Sequence, residues 1–101
     1  MTVRFTAQAA TRLAEIVTVL RAENPVALKR LAQQLVRAKR RLIAFPRSSP
    51  GVPEFPWSPL REFFIPPHRF FYFIDDGRKT IWILEIWHGA QLPDEPRLPV
   101  P

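Results

Sequence analysis

Few side chains in this sequence could do chemistry, and most of them are cationic. Cysteine is absent; that excludes disulfides and thiolate metal sites and fits a reducing compartment. The two histidines, His68 and His88, lie far apart with no ligand spacing around them, so neither a zinc site nor any other cofactor is expected. His88 alone could act as acid or base near neutral pH; a lone histidine at a strand end is more often a hydrogen-bonded structural residue. Basic residues crowd one segment: Lys29, Arg30, Arg37, Lys39, Arg40 and Arg41. Each taken singly reads as part of a solvated helix face. Together they form a positive surface, and the formal net charge is +6. A basic small protein meets something acidic: nucleic acid, a ribosome, an acidic protein or a membrane surface. Charge does not choose among these.

The elements that position these groups follow from hydrophobic periodicity. Val3-Arg4-Phe5 alternates as a short strand does, and Thr6 can cap a helix behind it. Ala10, Leu13, Ile16, Val17 and Leu20 recur at helical spacing, and this helix should end near Glu23. Asn24-Pro25 then restarts the chain, since Asn favours the cap and Pro the first helical position. Leu28, Leu31, Ala32, Leu35, Ala38 and Leu42 mark a second amphipathic helix. So short a break implies an antiparallel helical hairpin.

Residues 45–59 hold Pro46, Pro50, Gly51, Pro53, Pro56 and Pro59 and cannot form regular helix or a central strand. They read as an ordered loop crossing the domain, with Phe55 and Trp57 pinned to the core. Residues 60–65, 69–74 and 80–87 then read as three strands. Pro66-Pro67 separates the first two, and Asp75-Asp76-Gly77-Arg78 is a tight-turn signal between the last two. On the second of these strands, Phe71 and Phe73 should oppose Phe70, Tyr72 and Ile74. On the third, Trp82, Leu84 and Ile86 should oppose Ile83, Glu85 and Trp87. Both faces of the sheet must therefore be partly covered. The fold expected is α+β, in the order β-α-α-β-β-β, a helical hairpin on one face of an antiparallel sheet. With 101 residues it should be one domain over 1–92, followed by an extended or disordered proline-rich tail over 93–101. The opening Met1-Thr2-Val3-Arg4-Phe5 lacks the pattern of a signal peptide, and no stretch approaches the length of a membrane span. A cytoplasmic protein without a membrane partner is expected.

This order, with certain residues at certain places, resembles the RelE/ParE toxins of type II toxin–antitoxin systems. The carriers are Pro59-Leu60-Arg61-Glu62 after the proline loop, then Arg69-Phe70-Phe71-Tyr72-Phe73-Ile74-Asp75, then an apolar strand closed by His88-Gly89. The resemblance spans Val3 to about Gln91 and implies a cognate antitoxin whose acidic, apolar-anchored segment wraps the toxin in a hetero-oligomer. Lys29, Arg30, Arg37, Arg40 and Arg41, with Trp82 and Trp87 of the last strand, are the natural surfaces for that antitoxin or for the target.

The resemblance also implies one of two activities. RelE-like members cleave mRNA on the ribosome; ParE-like members bind DNA gyrase. Cleaving RNA needs a group to take the 2′-hydroxyl proton, charge to stabilise the pentavalent phosphate, and an acid for the leaving oxygen. Arg61 and Arg69 match the family's arginine positions and could hold phosphate bidentately; with His88 they are the candidates for a nuclease. Arg61 could instead form a structural ion pair with Glu62 or Glu54. Beyond His88, where the nucleases tend to carry basic residues, stand Gly89-Ala90-Gln91-Leu92-Pro93. The reading therefore leans to the ParE-like branch, a binder without an active site. A ribosome-dependent endoribonuclease and a degenerate, harmless copy remain the alternatives.

Overall fold

The computed structural model describes residues 1–89; the expected tail at 93–101 lies outside the described residues. Six elements follow one another: β1 (Thr2–Phe5), α1 (Ala7–Glu23), α2 (Pro25–Ala44), β2 (Arg61–Ile65), β3 (His68–Asp75) and β4 (Thr80–His88).

The helical hairpin is fixed by its caps. Thr6 accepts the Ala9 amide on its hydroxyl at 3.2 Å and donates that hydroxyl to the Leu84 carbonyl at 3.0 Å. The start of α1 is thereby tied to β4. Asn24 closes one helix and opens the next. Its amide donates to the Leu20 carbonyl, and its side chain accepts the Ala27 amide. With Pro25 at the first helical position, one residue makes the whole turn. The stripe of α1 that packs is Ala9, Leu13, Ile16 and Leu20; Ala10, expected to face inward, is exposed. From α2, Leu31, Leu35, Ala38 and Leu42 enter the core, whereas Ala32 is exposed.

The sheet has the order β1-β4-β3-β2. The last three strands form the expected antiparallel meander. The first strand joins it in parallel beside β4, Val3 facing Ile81 and Phe5 facing Ile83, so the sheet is mixed. The helices supply the crossover that a parallel pair needs.

The expected faces of β3 hold: Phe70, Tyr72 and Ile74 face the helices, and Phe71 and Phe73 face away. Those of β4 hold only in its first half. Phe71 pairs with Glu85 but Tyr72 pairs with Ile83, leaving Leu84 as an extra residue. This bulge resets the alternation. Ile86 therefore joins Ile81 and Ile83 under the helices, and Trp87 joins Trp82 and Leu84 on the other side. Strict period-two counting could not see it.

Two cores result. The larger lies between helices and sheet and includes Phe63 stacked on Phe70 at 4.9 Å. The smaller lies on the outer face, where Val52 of the proline loop and Leu60 at its end bury Phe71 and Leu84. Phe55 packs against it as expected. Trp57 does not: it is 73% exposed and meets Phe55 only edge-on. A second anchor holds the loop instead, the buried Tyr72 hydroxyl donating to the Pro46 carbonyl at 2.8 Å. In the β3–β4 turn, the left-handed position is taken by Lys79 (φ 51°), not by Gly77.

Candidate functional site

Arg69 lies on the outer face of β3, its guanidinium over the Phe71 ring at 5.1 Å. Its Nη1 and Nη2 donate to the two carboxylate oxygens of Glu54, both at 2.7 Å, and its Nε donates to Glu62 at 2.7 Å. Glu54 comes from the proline loop and Glu62 from β2, so Arg69 staples that loop to the sheet. The side chain is 13% exposed. In so shielded a place the pairing acts strongly on ionisation. The Arg69 hydrogen bonds hold the Glu54 carboxyl down at about 2, against the opposing effect of its own burial. Glu54 and then Glu62 push the Arg69 pKa up. The expected ion pair of Arg61 with these acids therefore belongs to Arg69.

Arg61 has a different task. It sits opposite Tyr72 on the helix side of the sheet. Its Nη1 donates to the carbonyls of Ser49 at 2.7 Å and Arg47 at 3.1 Å. Beside it, Gly51 bridges to Arg61 as a short extra edge. The loop's backbone carbonyls thus find a cationic donor.

His88 closes β4 directly opposite His68, the rings edge to face at 5.9 Å. Burial, then His88, then Arg12 press the His68 pKa down. Because His68 pairs with His88 and Arg69 with Trp87, successive residues on β3, His88 and Arg69 emerge on opposite faces of the sheet. Arg61, opposite Tyr72, lies four residues along β3 from the histidine pair, about 13 Å away. The three candidate catalytic residues do not converge. Among the described residues, no cluster of His, Asp and Glu is arranged to hold a metal ion.

The basic residues of α2 also divide. Arg30, Arg37 and Arg41 recur on one side of the helix with Gln34 between them, and line clefts along the β2 edge. Lys29 and Arg40 are exposed on the back of the helix. Lys39 lies on the opposite flank, its Nζ 5.2 Å from the Phe5 ring. None of these residues forms an ion pair among the described residues. Trp82 and Trp87 are half-buried across the sheet from the helices, in the outer cluster, not exposed as expected. Their indole N–H groups are buried without a partner among the described residues. No face carries both the tryptophans and the basic helix.

Two further features were not anticipated. Glu85 lines a cleft of about 470 Å³ with Arg12 and Glu15 of α1, and burial raises its pKa against the pull of Arg12. Phe64 stands out from β2 at 59% exposure while its neighbours Phe63 and Ile65 are buried. Its signal was present: alternation inward at Phe63 and Ile65 sends Phe64 out.

A family model described as the ParE toxin of type II toxin–antitoxin systems, parDE, matches residues 3–93. The chain belongs to the ParE toxin family. No curated protein matches it. The match takes in all six described elements but for Thr2 at the start of β1, and agrees with the α+β order of the RelE/ParE fold. Membership of the ParE family makes the chain the toxin half of a type II pair and implies a cognate antitoxin. In this ParE-family chain, Arg61 and Arg69, the residues that best carried the resemblance, hold the proline loop in place. No helix is long and apolar enough to cross a membrane among the described residues.

Proposed function

We propose that this toxin arrests growth by binding a replication enzyme, DNA gyrase, and not by cutting RNA. The observation that carries the reading is the state of Arg69. Phosphate stabilisation needs a guanidinium whose donors face the substrate. Here all three nitrogens of Arg69 bind carboxylates, and Arg61 and His88 lie elsewhere. What the surface offers in place of an active site is a binding face: the unpaired arginines of α2 beside residues 63–65 of the β2 edge.

The antitoxin is proposed as an acidic segment with apolar anchors, in a cytoplasmic complex. To touch both α2 and the Trp82–Trp87 face it must wrap around the sheet, because the two lie on opposite sides. Purified toxin should inhibit gyrase supercoiling, and adding antitoxin should relieve it. Folded toxin that leaves supercoiling untouched at stoichiometric excess counts against the reading. Cleaved message in a translating extract, lost on Arg69→Lys with the fold retained, would establish the ribonuclease instead. Harmless induction without antitoxin would mark a degenerate copy.

A further inference from the structure

We propose that the open part of the β2 edge, residues 63–65 beyond the Gly51 bridge, and the arginine side of α2 form a binding groove for a single-stranded polynucleotide, held without cleavage; this goes beyond the gyrase reading, which takes the same face as a contact. Three clefts run end to end there. The first, about 140 Å³, holds Arg30, Gln34 and Ile65. The second, about 340 Å³, shares Gln34 and Ile65 and adds Arg37, Arg41 and Phe64. The third, about 610 Å³, shares Arg41 and Phe64 and ends at Ser48, Ser49 and Gly89. Each cleft shares lining residues with the next, so the three adjoin in a row along this side of the molecule.

The groove's chemistry suits a phosphodiester chain. Arg30, Arg37 and Arg41 have no acidic partner among the described residues, and Arg41 makes only a long 3.5 Å contact to the Ser49 hydroxyl. Their guanidinium forks are therefore available for bidentate phosphate contacts. Arg37 and Arg41 stand one helical turn apart, about 6 Å along the axis, so they can take separate phosphates. The carboxylates at the far end, Glu54 and Glu62, already bind Arg69. Phe64 supplies the second element: an aromatic ring held out of the core at the lip of the groove, next to Gly89. Arginines along a groove with an exposed ring beside them are the components of sequence-tolerant single-strand binding. An extended acidic peptide would meet the same arginines but would draw on the strand edge and not on ring stacking.

The test is fluorescence anisotropy of the full chain with labelled oligo-dT and oligo-U, each about 12 nucleotides long. Binding should weaken as salt rises. Arg37→Ala and Arg41→Ala should each weaken it about tenfold and lower the slope of log affinity on log salt by about 0.7. Phe64→Ala should weaken it about tenfold with the slope unchanged, and Phe64→Trp should restore it. All of these side chains are exposed, so circular dichroism should show an unaltered fold. Preference for dT or for U would identify DNA or RNA as the source. No binding of either probe in low salt overturns the inference. So does displacement by polyglutamate of equal length with Phe64→Ala silent, which would assign the groove to an acidic peptide. Supercoiling inhibition is scored separately, so failure of one reading is distinguishable from failure of the other.

Discussion

Arg69 and Arg37 are the same side chain in opposite circumstances. Arg69 is shielded on the outer face of the sheet with a carboxylate oxygen on each nitrogen. Arg37 is exposed on α2 and forms no ion pair among the described residues. The first sits in the segment that most strongly marks the family; the second sits in a charge run of the kind solvated helices commonly carry. The contrast teaches that a motif can identify a scaffold while its charged members are spent on holding that scaffold. Cations still able to act on a partner are found by looking for those without one.

The largest break in this comparison should come from Arg69→Ala, which leaves Glu54 and Glu62 facing each other without their cation. A loss of about 3 kcal/mol is expected, measured by urea unfolding; a change under about 0.5 kcal/mol would mean the triad holds nothing. Acid should attack the same place. Glu54 has its carboxyl depressed to about 2, so its contribution is whole above the unfolded value of about 4.3 and is lost as pH falls through the folded one. Stability should therefore decline between about pH 4.5 and pH 2, and Glu54→Gln should flatten that decline. An unchanged slope in that variant would place the acid sensitivity elsewhere. Tyr72→Phe removes the second anchor of the loop, leaving the Pro46 carbonyl without its donor, at a cost of about 1–2 kcal/mol. At the other extreme, Arg37→Ala and Arg40→Ala should change stability by less than about 0.5 kcal/mol. A larger loss would show that α2 carries hidden pairing.

Much of the fold was legible because local chemistry agreed with global pattern. Thr6, Asn24 and Pro25 cap as their side chains dictate, and the inward residues of β3 follow a period of two. What was not legible depended on partners distant in sequence. The Leu84 bulge is stabilised by the hydroxyl of Thr6 across the domain, and no local signal announces it. Glu54 and Glu62 were visible as acids near Arg61 in sequence, but strand pairing hands them to Arg69. Whether a tryptophan in a proline loop packs or protrudes depends on where the loop crosses the sheet; Phe55 reached the outer core and Trp57 did not. The division of the basic residues of α2 into a groove side and a solvent side needed the position of the β2 edge, which the helix alone does not contain.

The most direct test of the central claim separates the structural role of Arg69 from any chemical one. Replacing the triad together, Glu54→Gln, Glu62→Gln and Arg69→Met, removes its charges without leaving one unpaired. The folded triple variant should still inhibit gyrase supercoiling as the parent does. A variant that folds, shown by its circular dichroism and unfolding midpoint, yet no longer inhibits would contradict the account and return Arg69 to the working surface.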